Sequence, residues 1–118
     1  LTNNMKKGKT GNQILLESLQ QGKQEGLKPS IYTHPLGKYG HSAGTTIGMW
    51  DSQGGVPFNG DYPLQKNTAY AIELNTTVNI PEWKKDIRIM LEEAGFFGDN
   101  TFEYVNERQT SIKPINIK

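Results

Sequence analysis

The chain is 118 residues long, 34% hydrophobic and nearly neutral, with a net charge of +1. That length provides for one modest domain, and so small a charge excludes the strong field that a nucleic acid or membrane surface would require. The absence of cysteine removes disulfides, thiolate metal sites and thiol nucleophiles together.

No apolar run approaches transmembrane length, and the first residues show no secretory h-region. The apolar content lies below the usual range for a self-sufficient domain, yet segments such as residues 87–91 are well patterned. Part of the core is therefore expected on another segment. Lys6, Lys7 and Lys9 read as a solvated basic cluster rather than a phosphate grip.

Thr10-Gly11-Asn12-Gln13 has the form of a capping box. Ile14, Leu15, Leu16 and Leu19 follow at helical spacing, and Gly26 with Lys28-Pro29 supplies the stop. The pattern predicts an amphipathic helix over residues 11–25. Ile31-Tyr32-Thr33 reads as a short strand running into His34, and residues 37–60 as a long glycine-rich loop anchored by Ile47, Met49, Trp50, Val56 and Phe58. Trp50-Asp51 and Val56-Pro57-Phe58 either line a specificity pocket or tether this loop to the core.

Two strands come next. Period-two alternation puts Tyr70, Ile72 and Leu74 on one face and Ala71, Glu73 and Asn75 on the other. In residues 86–93, Ile87, Ile89 and Leu91 share a face opposite Arg88, Met90 and Glu92. If the apolar faces pack on the helix, Glu73 and Glu92 project together from the other side. Further strands are predicted within residues 102–105 and 109–115. Arg88 has Glu73, Glu92, Asp86 and Glu103 as candidate partners. The fold class is α+β, a mainly antiparallel curved sheet with one helix packed on a face.

One imidazole, His34, and two carboxylates, Glu73 and Glu92, make a reasonable divalent-metal donor set. Exposed strand glutamates and structural histidines are common, so spacing alone does not establish it. Tyr32-Thr33-His34-Pro35-Leu36-Gly37 followed by Gly40-His41-Ser42-Ala43-Gly44 resembles the histidine segment of the pita-bread metallopeptidases, the family of methionine aminopeptidase, aminopeptidase P and prolidase. Residues 71–76 resemble the family's next strand, with Glu73 as ligand, and residues 89–93 its last. The likeness spans most of residues 8–115. Pro35, where the family commonly has glycine, and Leu74-Asn75, where it has Pro-Gly, depart from the pattern. In the last strand Glu92 is preferred to Glu93 because it shares the polar face with Arg88.

The resemblance implies that residues 1–118 are the C-terminal half of a pita-bread catalytic domain, an aminopeptidase or Xaa-Pro-type dipeptidase. His34, Glu73 and Glu92 would be metal ligands. Glu73 would also move a proton, and His41 would hydrogen-bond the substrate. The cofactor would be two divalent metal ions (Mn, Co, Zn or Fe), held jointly with two aspartates from an upstream half. Asp51 and Asp61 fall in the wrong order to replace them, so this polypeptide alone is expected to be inactive. The implied partners are a peptide substrate and the upstream half, with a homodimer left open and no nucleic acid or membrane. A non-catalytic pita-bread domain that binds peptide or protein is the alternative; a metal-free C–N hydrolase on the same fold, as in creatinases, is a third reading.

Overall fold

A computed structural model describes residues 1–117. Helix α1 runs Gly11–Gln24 and begins with the full capping box: Thr10 accepts from the Gln13 backbone, and the Gln13 side chain accepts from the Thr10 N–H. Its buried side, Ile14, Leu15 and Leu19, packs on the sheet. The helix ends one residue earlier than the spacing suggests, within the ordinary fraying of helix termini.

Six strands follow: β1 Lys28–Ile31, β2 His34–Gly37, β3 Gly40–His41, β4 Thr68–Ile80, β5 Lys85–Phe97 and β6 Phe102–Tyr104. They form one antiparallel sheet in the order β3-β2-β4-β5-β6, with β1 also paired to β4. The fold is α+β.

Strands β1 and β2 lie end to end along β4, where sequence alternation suggested one short strand. The break at Tyr32-Thr33 arises because Thr33 turns aside to pair with Ile47. Tyr32 N–H and the Thr33 hydroxyl both donate to the Glu73 carbonyl, which closes the gap. The loop expected over residues 37–60 contains β3, a two-residue return onto β2.

The β4–β5 hairpin exceeds the expected strands at both ends. Each arm has 13 residues, and their pairing is unbroken from Thr68↔Phe97 to Ile80↔Lys85. Pro81 stops β4 because it has no N–H to give the ladder, and Lys84 takes a left-handed conformation (φ 49°) to turn the chain back. Residues 102–104 form β6 as expected, whereas residues 109–115 form no strand.

The core contains Met5, Ile14, Leu15, Leu19, Ile31, Ile47, Leu64, Tyr70, Ile72 and Phe97. The face expected to lie against the helix does so for Tyr70 and Ile72, but Ile89 and Leu91 remain about half exposed. Helix α1 is about 21 Å long, while a 13-residue strand extends about 43 Å. It covers one half of the hairpin and leaves the other bare. No helix among the described residues is long and apolar enough to cross a membrane.

Candidate functional site

Antiparallel register gathers the polar side chains on the sheet face away from the helix. His34 opposes Ala71, Ser30 opposes Asn75, and Glu73 opposes Glu92. Directly opposed residues project from the same face, so His34, Glu73 and Glu92 share a surface although 58 residues separate the first from the last.

His34 is buried, and both of its ring nitrogens face oxygen acceptors. Nδ1 lies 3.0 Å from the Pro35 carbonyl, and Nε2 lies 2.8 Å from Glu73 Oε1. A neutral imidazole carries one N–H, so in that form it donates to one of these two oxygens. Histidine metal ligands characteristically donate one nitrogen to a backbone carbonyl and turn the other toward the ion. His34 has the first half of that arrangement, Nδ1 toward the Pro35 carbonyl, while its Nε2 is turned to Glu73. Its ring stacks on His41, with centroids 4.0 Å apart and planes 15° from parallel. His41 Nε2 lies 3.1 Å from the Tyr32 hydroxyl, which holds the exposed ring in place.

Glu92 lies across the ladder from Glu73, and both line one cavity of about 480 Å³, together with Tyr32, Trp50, Arg88 and Met90. Among the described residues, no three His, Cys, Asp or Glu side chains gather closely enough to hold one metal ion. His34 and Glu73 form a close pair, while Glu92 stands one strand away.

Arg88 pairs with none of the acids considered for it. Its Nε donates to Asn75 Oδ1 at 3.0 Å, a cross-strand contact within the cavity wall. Asp86 instead faces Lys28 at 3.5 Å and accepts from Asn79 at 2.8 Å. The Asn79 hydrogen bond, then the Lys28 charge, holds the Asp86 carboxyl below its ordinary value. Asp61 is occupied elsewhere, accepting from the Asn12 amide and the Phe58 N–H.

Of the loop aromatics, Trp50 lines the cavity, whereas Phe58 points to solvent and Val56 is buried. Sequence reasoning missed Tyr32. Alternation within one unbroken strand would have put Tyr32 and His34 on the same face, and that signal was available. Comparison of the chain with protein-family models, with curated proteins and with solved structures finds no match.

Proposed function

We propose that the chain is the C-terminal half of a pita-bread catalytic domain, acting in hydrolysis of a peptide bond near a substrate's N-terminus. The observation that carries this reading is the His34–Glu73 pair, in which Nδ1 meets a backbone carbonyl and Nε2 a carboxylate, with Glu92 opposite Glu73 on the same face.

His34, Glu73 and Glu92 would be this chain's share of a dinuclear site, and an upstream segment would bring two aspartates to the open side. The ions would supply a water acidic enough to ionise near neutral pH and a Lewis acid for the carbonyl. Glu73 accepts and relays the proton. The Pro35 carbonyl orients the His34 ring. His41, braced by Tyr32 and by stacking on His34, would offer the substrate a hydrogen bond.

The test uses the chain joined to its upstream segment. Release of an N-terminal residue or cleavage of an Xaa-Pro dipeptide should stop in chelator and return with Mn²⁺ or Co²⁺. Glu73→Gln should lower kcat by roughly 10²–10⁴-fold with the fold intact. Undiminished cleavage in chelator would overturn the reading.

A second reading is a peptide-binding domain without catalysis. It is favoured by the spacing of the acidic groups, since no three candidate ligands converge among the described residues. Metal analysis of the joined protein separates the two: two ions per chain support the peptidase, and none supports the binding domain.

A further inference from the structure

Strand β6 pairs with β5 only over Gly95–Phe97, and the outer edge of β5 runs on past it unpaired. Val105 N–H donates to the Ala94 carbonyl, and Gln109 N–H to the Glu93 carboxylate at 2.7 Å. These two contacts cap one end of the edge. The Ala94 bond also fixes which backbone groups face outward. Alternate residues of a strand turn their N–H and C=O to the same edge, so Arg88, Met90 and Glu92 present theirs on the open side.

An open edge accepts another strand through its backbone, and side chains decide which strand. Arg88, Met90 and Glu92 share the face away from the helix, while Ile89 and Leu91 share the other. Met90 is 67% exposed, Ile89 46% and Leu91 52%. Arg88 Nε is held by Asn75, and among the described residues neither the guanidinium nor the Glu92 carboxylate has an ion-pair partner. A cation, an apolar residue and an anion at period two are complementary to the same run reversed.

Reversal about Met90 sets Arg88 against Glu92 of a second copy, twice, and Met90 against its own copy. On the other face Ile89 meets Leu91, also twice. The neighbouring registers fail. Reversal about Ile89 opposes Asp86 and Glu92, and reversal about Arg88 opposes two guanidinium groups. Reversal about Leu91 brings Arg88 to Ala94, where Val105 already sits.

We propose that two copies of this chain pair β5 to β5 about a two-fold axis at Met90, joining their sheets into one. The Arg88–Glu92 and Met90–Met90 pairs exchange both N–H···O bonds, and the Ile89–Leu91 pairs fall at the closer spacing between them. A two-fold contact consumes the edge that makes it, so association through β5 stops at two. This goes beyond the peptidase reading and does not rest on it. Glu92 serves either this pairing or an ion, so the dimer is the form of the metal-free chain without an upstream segment.

The experiment is sedimentation equilibrium of the chain in chelator, over a series of concentrations. The expected result is a reversible monomer–dimer equilibrium with no larger species. Arg88→Glu and Glu92→Arg should each weaken the dimer by at least about tenfold, because like charges then face one another twice. The two substitutions together restore opposite pairs and should bring the dissociation constant back near that of the parent chain. The register has its own test. The chain has no cysteine, and Met90→Cys supplies a thiol whose copy lies about 5.5 Å away between Cα atoms, within disulfide reach. Mild oxidation should cross-link it readily. Ile89→Cys lies diagonal to its copy and should cross-link far less. These positions are exposed, so circular dichroism should show every variant folded.

A monomer at every concentration up to about 1 mM, association that runs past the dimer, a double exchange no tighter than the single ones, or equal cross-linking of the two cysteine variants would overturn the proposal. No metal or peptide enters these measurements, so their outcome is separate from that of the peptidase test. A chain that dimerises in this register but never cleaves a peptide, even joined to its upstream segment, loses the enzyme reading and keeps this one.

Discussion

Tyr70 is fully buried on β4, and its hydroxyl finds no protein hydrogen-bond partner. A buried polar group without a partner forfeits the hydration it had in the unfolded chain. Burial also pushes its phenol up from 10.0 to about 12, because the phenolate would be stranded in apolar surroundings. The folded form therefore resists ionisation more than the unfolded one. Stability is unaffected below pH 10 and falls as the pH rises through 10 toward 12. Tyr70→Phe should raise stability near neutrality by about 1 kcal/mol and remove the alkaline loss, both measured by urea denaturation from pH 7 to 11. At this same scale the alternation of Tyr70, Ile72 and Leu74 was enough to separate core from site. Glu73 could be read as facing away from the helix because side-chain direction in a strand is a local property. The neighbour that meets it, His34, is not local and could not be read with the same assurance.

At the scale of elements, helix α1 owes its start to side chains that the sequence displays openly. Loss of the Thr10 hydroxyl removes one arm of the capping box, and Thr10→Ala should cost about 1 kcal/mol in chemical denaturation. The β5–β6 corner depends on close approach instead. A Cβ on Gly95 would stand 1.9 Å from the Phe102 ring, and Phe102 pairs with Phe97 in the ladder. Gly95→Ala should displace β6 and cost about 1–3 kcal/mol, with amide exchange of residues 102–104 rising first. The strands expected at residues 70–75 and 86–93 were found, but each is longer than its clearest alternation. Beyond Leu74 the side chains of β4 are Asn, Thr, Thr, Val, Asn and Ile. Their extended conformation comes from pairing with β5 and, over Asn75–Thr77, with β1 rather than from burial. The segment at 109–115 forms no strand: Ile112 and Ile115 fall on opposite pleats, Pro114 has no N–H to give a ladder, and both isoleucines lie open to solvent.

The whole molecule is more extended than its length requires. Its radius of gyration is 15.3 Å, against about 13.5 Å for a compact domain of this size. The distal hairpin and the exposed residues beyond β6 account for the difference. Strand β5 pairs with β6 only over Gly95–Phe97, so its outer edge along residues 85–93 has no strand partner among the described residues. Ile89, Met90 and Leu91 on that stretch are each about half exposed or more. An apolar strand with an open edge invites pairing with another chain. In isolation the chain should associate as its concentration rises, and Ile89→Lys should suppress this in light scattering while the monomer stays folded. Under the proposed function, an upstream segment occupies this region, and joining it should suppress association without any substitution.

The sequence by itself determined the helix and its cap, the clearly alternating stretches of the two long strands, and the face on which each glutamate lies. All of these follow from contacts within one turn or one pleat. Only the tertiary structure decided which residues meet: Glu73 opposite Glu92, His34 against Glu73, Tyr32 bracing His41, and Trp50 over the cavity. Strand register and loop path depend on contacts across tens of residues, and no local period encodes them.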